Sequence, residues 1–141
     1  MKIDRISHIG IAVRDLDEAL RLYRDALGLE LVHVEEIPDQ QVRVAMLRTG
    51  SAVGQPRIEL LVPLAAESPV GRFLAKQPAG GVHHIAYRVE DVEAALGELR
   101  SAGVALIDQA PRRGAGGARI AFLHPRSTAG VLTELCQEDP S

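Results

Sequence analysis

Aromatic side chains are scarce in this chain: two Phe, two Tyr and no Trp make up 3% of 141 residues. A protein that holds single-stranded nucleic acid by stacking needs aromatic platforms in a cationic groove. With 16 Lys and Arg against 19 Asp and Glu, a net charge of −3, this sequence offers little of either. Cys136 is the one cysteine, so no internal disulfide can form and nothing points to an oxidising compartment. No apolar run approaches the roughly 18 residues of a membrane span. The opening stretch carries Asp4 and His8 through its apolar part and has no cleavage pattern. These absences lead to the expectation of a cytoplasmic protein that handles a small molecule, with neither a nucleic-acid nor a membrane partner. What is present suits a globular chain, with 46% hydrophobic and 25% charged residues. The length fits one domain with a real core.

The chain repeats itself. Residues 8–20 laid over residues 84–96 give six identities in 13 positions: His8/His84, Ile9/Ile85, Val13/Val89, Asp15/Asp91, Ala19/Ala95 and Leu20/Leu96. A period of about 75 residues is too long for a solenoid unit and implies two copies of one small module. Each copy reads alike. An apolar, β-branched run over 3–13 predicts a strand, and Asp15 with Glu18 three residues later has the capping-box pattern of a helix start. Leu16, Ala19, Leu20, Tyr23 and Leu27 follow helical spacing up to a stop at Gly28. Strands are predicted over 31–37, 42–47 and 57–62, split by turn chemistry at Pro38-Asp39 and Thr49-Gly50-Ser51. The second copy gives a strand over 82–89, a helix over 91–102, and strands over 105–108, 120–123 and 131–137. Ser68-Pro69 opens a short linking helix to residue 76. The predicted fold is α+β: a single domain over 1–141, with module one over 3–64, the linking helix over 68–76 and module two over 82–137, each module βαβββ.

Two strands carry an acid inside apolar sequence: Ile58-Glu59-Leu60-Leu61-Val62 and Val131-Leu132-Thr133-Glu134-Leu135. A buried carboxylate must be protonated, paired or bound to a metal. His8 lies 51 residues before Glu59, and His84 lies 50 before Glu134. Each module therefore holds a His on its first strand and a Glu on its last, and a pseudo-two-fold would bring all four to one point. Two imidazoles and two carboxylates suit a divalent ion such as manganese, cobalt, iron, nickel or zinc better than a soft thiolate metal. His83 competes with His84, but adjacent strand residues point to opposite faces, and the repeat selects His84. Cys136, on the same strand face as Glu134, reads as a buried packing residue. His33 reads as a surface residue, and His124 before Pro125 as one that shapes a loop or the pocket rim.

With these residues placed, the chain resembles the vicinal oxygen chelate (glyoxalase/bleomycin resistance/dioxygenase) superfamily, and within it the methylmalonyl-CoA epimerases. The stretches that carry the likeness lie at 38–46, 58–64 and 68–76, the Gly81-Val82-His83-His84 doublet, the glycine-rich run 114–125 and the ending 130–136. The resemblance implies an open, curved mixed sheet around a metal cleft, with His8, Glu59, His84 and Glu134 as metal ligands. It implies cobalt, with manganese, nickel, zinc or magnesium as substitutes. It also implies a homodimer working in propionate metabolism, which inverts the 2-carbon of a 2-methylmalonyl thioester by removing and returning a proton. Glu134 would be one base and Glu59 the opposite one, with a metal-bound water as the alternative to Glu59. Where the family writes Pro-Glu-Gln-Gly this chain has Pro38-Asp39-Gln40-Gln41, and where some epimerases place a third-strand Glu and a fourth-strand Gln it has Val44 and Glu59. A scheme with a separate third-strand base does not transfer.

A coenzyme A thioester brings phosphates. Residues 111–126 hold Arg112, Arg113, Arg119 and Arg126 with no acid, around Gly114-Ala115-Gly116-Gly117. Arg112, Arg113, Gly116, Gly117 and Arg119 are thus candidate substrate contacts, with backbone N–H groups free to approach an anion. A surface hairpin with solvated arginines is the plain alternative. A glyoxalase-type lyase, another metal enzyme of the superfamily such as a ring-cleaving dioxygenase, and a metal-free drug-sequestering protein are the competing readings. The last has no reason to place both His and both Glu at equivalent repeat positions.

Overall fold

The computed structural model describes residues 1–138. Module one comprises β1 (Ile3–Ala12), α1 (Leu16–Leu20), β2 (Glu30–Ile37), β3 (Val42–Arg48) and β4 (Arg57–Pro63). The linking helix α2 (Pro69–Lys76) leads to β5 (Gly81–Val89), α3 (Val92–Ser101), β6 (Arg112–Arg113), β7 (Arg119–Leu123) and β8 (Thr133–Gln137). The helix starts are where the side-chain chemistry puts them. Asp15 accepts from the Glu18 N–H, Asp91 from the Ala94 N–H and Ser68 from the Gly71 N–H, each satisfying a donor the first turn leaves open. Beyond Leu20 the helix widens into π-type turns over Arg21–Ala26 and ends at Gly28, whose φ of 80° is the left-handed stop.

All eight strands form one sheet in the order β2-β3-β4-β1-β5-β8-β7-β6. The two modules meet where β1 runs antiparallel to β5. On either side β4 lies parallel to β1 and β8 parallel to β5, with Gly10 opposite Glu59 and Ala86 opposite Glu134. These are repeat-equivalent registers, so a pseudo-two-fold passes between β1 and β5. The sheet curls until its far edges approach, and Glu35 on β2 reaches Arg113 on β6 at 3.2 Å. The α+β class and the paired βαβββ modules are as the sequence predicts.

Helices α1 and α3 cover the outer face. Leu20 packs with Ala45, Leu47 and Leu60, while Val92, Ala95 and Leu96 pack with Ala121, Leu123 and Leu135. Each large buried side chain of this kind contributes about 1.5–3 kcal/mol. Inside the curl Val42, Val44, Met46 and Leu61 meet Val70 and Leu74 of α2. With both faces covered, β4 buries Glu59, Leu60 and Leu61 in succession.

The predicted strand over 105–108 does not form. That stretch makes a single bridge, Leu106 to Leu123, and the edge strand is instead the short β6. The Ile107 and Asp108 N–H groups both donate to the Phe122 carbonyl, and the Asp108 carboxylate accepts from the Phe122 N–H at 2.8 Å. A side chain thus takes the place of a ladder bond. The last strand also begins at Thr133 rather than at residue 131.

Candidate metal and active site

The two His and two Glu meet. His8 Nε2 lies 3.2 Å from His84 Nε2 and 3.3 Å from Glu134 Oε2, and His84 Nε2 lies 3.5 Å from Glu134 Oε1. Glu59 stands on the other side of the His8 ring, with Oε2 3.2 Å from Nδ1. All four are at most 5% exposed, which makes them the most costly polar cluster in the interior. Ser7 Oγ, 2.9 Å from His8 Nδ1, fixes the ring from below.

Gly10 makes the approach possible. A Cβ there would lie 2.3 Å from Cε1 of His84, so no side chain fits between β1 and that ring. The doublet behaves less simply than strand alternation predicts. Gly10 pairs with His84 and Ile11 with Val82, so His83 is the extra residue of a β-bulge. The bulge turns His83 toward the cavity with its Nδ1 2.9 Å from that of His84, and His83 packs against Phe73. His83 is therefore a rim residue of the site rather than a member of the opposite face.

Burial shifts the titration of every group in the cluster. It drives the His8 pKa down to about 3, aided by the Arg57 guanidinium, and drives His84 well below its ordinary value with His8 adding to the effect. His83 falls to about 4 for the same reason. Burial lifts Glu59 to about 8 against the pull of Arg57, and lifts Glu134 well above its ordinary value with Glu59 as second cause. Burial thus works against the charged form of all four groups. Glu134 Oε2 is buried and makes no hydrogen bond among the described residues. His8 Nε2, His84 Nε2 and the Glu134 carboxylate lie within 3.5 Å of one another, a nitrogen and oxygen donor set that fits a divalent ion, with Glu59 at the other nitrogen of His8. Cys136 also brings its sulfur within 4.8 Å of a donor atom of both His8 and Glu134. Burial and the neighbouring carboxylates push its thiol upward, and it packs among Ala86, Ile120 and Phe122.

Above the cluster is a cavity of about 240 Å³, walled by Val44, Leu61, Ile120, Phe122 and Leu132. Behind it an open groove of about 670 Å³ is lined by Arg5, Arg48, Arg88, Arg119, Gly116 and Gly117. The arginine segment is less free than its own sequence implies, because acids come to it through the fold. Arg112 meets Asp108 at 3.3 Å, Arg113 meets Glu35 at 3.2 Å and Arg119 meets Glu93 at 3.6 Å. The Gly116 N–H, expected to be open to an anion, donates to Glu35. Arg112 lines the inner cavity, while Gly116, Gly117 and Arg119 line the groove. Gln40 does more than turn the chain, since its Nε2 reaches the Arg113 carbonyl at 3.4 Å. His33 is on the surface against Glu35, and His124 caps the turn Pro125–Ser127. Sequence reasoning missed Glu35, Arg57 and Gly10 as parts of the site. Of these only Arg57 left a local signal, lying two residues before Glu59 and so on the same strand face.

A curled sheet of paired βαβββ modules with His and Glu at its centre defines the structural class to which the chain belongs. The sequence profile of the glyoxalase/bleomycin resistance protein/dioxygenase superfamily matches residues 7–122, and the chain belongs to that superfamily. More particularly, it is similar to the ethylmalonyl-CoA/methylmalonyl-CoA epimerase of Cereibacter sphaeroides, at 43% identity over 96% of this chain and 98% of that one. It is similar in structure to a singly substituted form of Streptomyces coelicolor methylmalonyl-CoA epimerase in complex with 2-nitronate-propionyl-CoA. That match has a TM-score of 0.92 and 44% identity, and covers 97% of this chain and 99% of that one. A methylmalonyl-CoA epimerase in complex with methylmalonyl-CoA and an ammonium ion matches with a TM-score of 0.90 at 45% identity, over 97% of this chain and 96% of that one.

Proposed function

We propose that this chain is a metal-dependent epimerase that inverts the 2-carbon of methylmalonyl-CoA. The observation that carries the reading is the gathering of two repeat-equivalent His/Glu pairs in one buried cluster, with His84 and Glu134 at His8 Nε2 and Glu59 at its Nδ1, and the epimerase relatives support the substrate class. His8, His84, Glu134 and Glu59 would hold the ion, with cobalt favoured by the family resemblance. When bound, it supplies a Lewis acid that stabilises enolate charge on the thioester by several kcal/mol. The chain's own carboxylates move the proton. Glu134, as a carboxylate, would take a proton from the 2-carbon on one face and Glu59, as the acid, would give its own proton on the other, each contributing about 10²–10⁴-fold if it lies within hydrogen-bond reach. The apolar walls of the cavity exclude water and so strengthen every charge interaction inside. Gly116, Gly117 and Arg119, with Arg48 beside them, would face the phosphates of the coenzyme A arm in the groove. The family resemblance also supports a homodimer, and the lone Cys136 a reducing cytoplasm.

The test is exchange in heavy water. Incubated with methylmalonyl-CoA and manganese or cobalt, the protein should bleach the 2-proton signal, and a chelator should stop it. No exchange with either metal present overturns the reading. Glu134→Gln should slow exchange by about 10²–10⁴-fold; an unchanged rate removes Glu134 as base while leaving the fold intact.

A further inference from the structure

In a regular strand neighbouring side chains point to opposite faces, so the residue before a site histidine should face away from it. Here neither does. Ser7 Oγ lies 2.9 Å from His8 Nδ1, and His83 Nδ1 lies 2.9 Å from His84 Nδ1. Both contacts have the same cause. Between β1 and β5, Ile6 pairs with Tyr87 and His8 with Ala86, which leaves Ser7 as an extra residue on β1. Gly10 pairs with His84 and Ile11 with Val82, which leaves His83 as the extra residue on β5. The pseudo-two-fold carries one bulge onto the other, because the pair His8/Ala86 corresponds to His84/Gly10 and Ile6/Tyr87 to Val82/Ile11. A bulge re-aims a side chain, and here each copy swings the preceding residue onto the ring that follows it.

The chemistry at that ring edge is specific. A neutral imidazole binds an ion through the nitrogen without a proton, so the other nitrogen carries one and needs an acceptor. The Nε2 atoms of His8 and His84 face each other at 3.2 Å and face Glu134, which puts the proton of a metal-binding ring on Nδ1. A serine hydroxyl oxygen accepts from Nδ1–H, and so does the Nδ1 of a neutral histidine protonated at Nε2. Ser7 is fully buried, and His83 is held edge-on against Phe73 of α2, its ring nearly perpendicular to that of His84. Glu59 is a second acceptor at His8 Nδ1, at 3.2 Å, so dependence on the supporting residue is sharper at His84.

We propose that Ser7 and His83 are repeat-equivalent positioning residues. Each takes a hydrogen bond from the Nδ1–H of the histidine that follows it, and so turns that ring's Nε2 lone pair toward the shared ion. This role rests on the metal-site reading above and supplies the groups that orient its histidines.

Zinc, which is diamagnetic, allows affinity and hydrogen bonding to be read on the same protein. In zinc-loaded protein carrying heavy nitrogen in its histidines, the His84 Nδ1–H should show a nitrogen–nitrogen coupling across its hydrogen bond to His83 Nδ1. His83→Phe keeps a ring against Phe73 but has no acceptor, and should weaken zinc binding by about 10–100-fold in titration calorimetry. His83→Asn places an amide oxygen near the lost nitrogen and should recover most of that loss. Ser7→Ala should weaken zinc binding less than His83→Phe, because Glu59 remains at His8 Nδ1. A zinc-loaded wild type without the coupling overturns the role of His83, and it decides the matter where His83→Phe does not fold. A folded His83→Phe with wild-type zinc affinity, or His83→Asn as weak as His83→Phe, overturns it too. Ser7→Ala with wild-type affinity removes Ser7. Wild type that takes up no zinc overturns the metal-site reading and the positioning role with it.

Discussion

At the scale of single residues, the site depends on one missing side chain as much as on the four it displays. Gly10 faces the His84 ring with no room for a methyl group, since the nearest three ring atoms would all lie within 2.8 Å of it. Gly10→Ala must therefore displace His84 or part β1 from β5. Overpacking of this kind costs about 1–3 kcal/mol, and a misplaced ligand lowers metal affinity by about 10–100-fold. Urea unfolding and manganese titration of the same variant measure the two effects. Manganese affinity equal to wild type would show that the close approach is incidental. The residues of the buried cluster were legible in the sequence because the repeat doubles the signal: one buried His is commonplace, but His8/His84 and Glu59/Glu134 at matching offsets are not. Gly10 was not legible as a site residue, because its role is set by what stands across a ladder 74 residues away. Glu35 was hidden for the same reason, as its partners Arg113 and Gly116 reach it only when the sheet curls.

At the scale of elements, side-chain chemistry at the ends decided where the sequence was right. The Asp15, Ser68 and Asp91 caps all form. Asp91→Ala should lower stability by about 1 kcal/mol, read as a shift in the urea midpoint with unchanged slope. No shift would mean that α3 is held by Val92 and Leu96 alone. The stretch 105–108 failed as a strand because an Asp108 that reads as the end of an apolar run is the group that bonds the Phe122 N–H. The turn before β3 is the other informative case. Gln41 has φ 49° and ψ 50°, the left-handed conformation, at the position where the family motif has Gly. Holding a residue with a Cβ in this conformation costs roughly 1 kcal/mol. Gln41→Gly should hold stability or raise it by up to about 1 kcal/mol, and Gln41→Val should lower it by about 1–2 kcal/mol, since a β-branched residue suits this region least. Thermal melts of the two variants check the order, and the reverse order would place the stabilising contribution in the Gln41 side chain instead.

At the scale of the whole molecule, neither module stands alone: each is about half of a small domain, and the buried cluster exists only where β1 and β5 join them. The scarcity of aromatics is consistent with the proposed function, because a substrate chelated by an ion would need no stacking surface. The plan also gives the metal-free protein a pH profile with a definite sign. His8 and His84 have folded pKa values below the unfolded value of 6.5, so their contribution to stability is present above pH 6.5 and is lost as pH falls toward about 3. Glu59 and Glu134 are shifted the other way. Their contribution is full below the ordinary 4.5 and is lost as pH rises through the folded value, about 8 for Glu59. Between 4.5 and 6.5 the two trends oppose each other, so the metal-free chain should be most stable there and should melt at falling temperature from pH 6.5 to 8. An ion binds the carboxylates in their charged form, which removes the proton uptake behind that alkaline fall. Melts across about pH 5–8 with and without manganese should therefore diverge above about pH 6.5, the loaded protein staying level while the stripped protein falls. Glu134→Gln, neutral at every pH, should remove its own share of the alkaline fall and leave that of Glu59. Parallel profiles with and without metal would mean that the four residues do not share an ion.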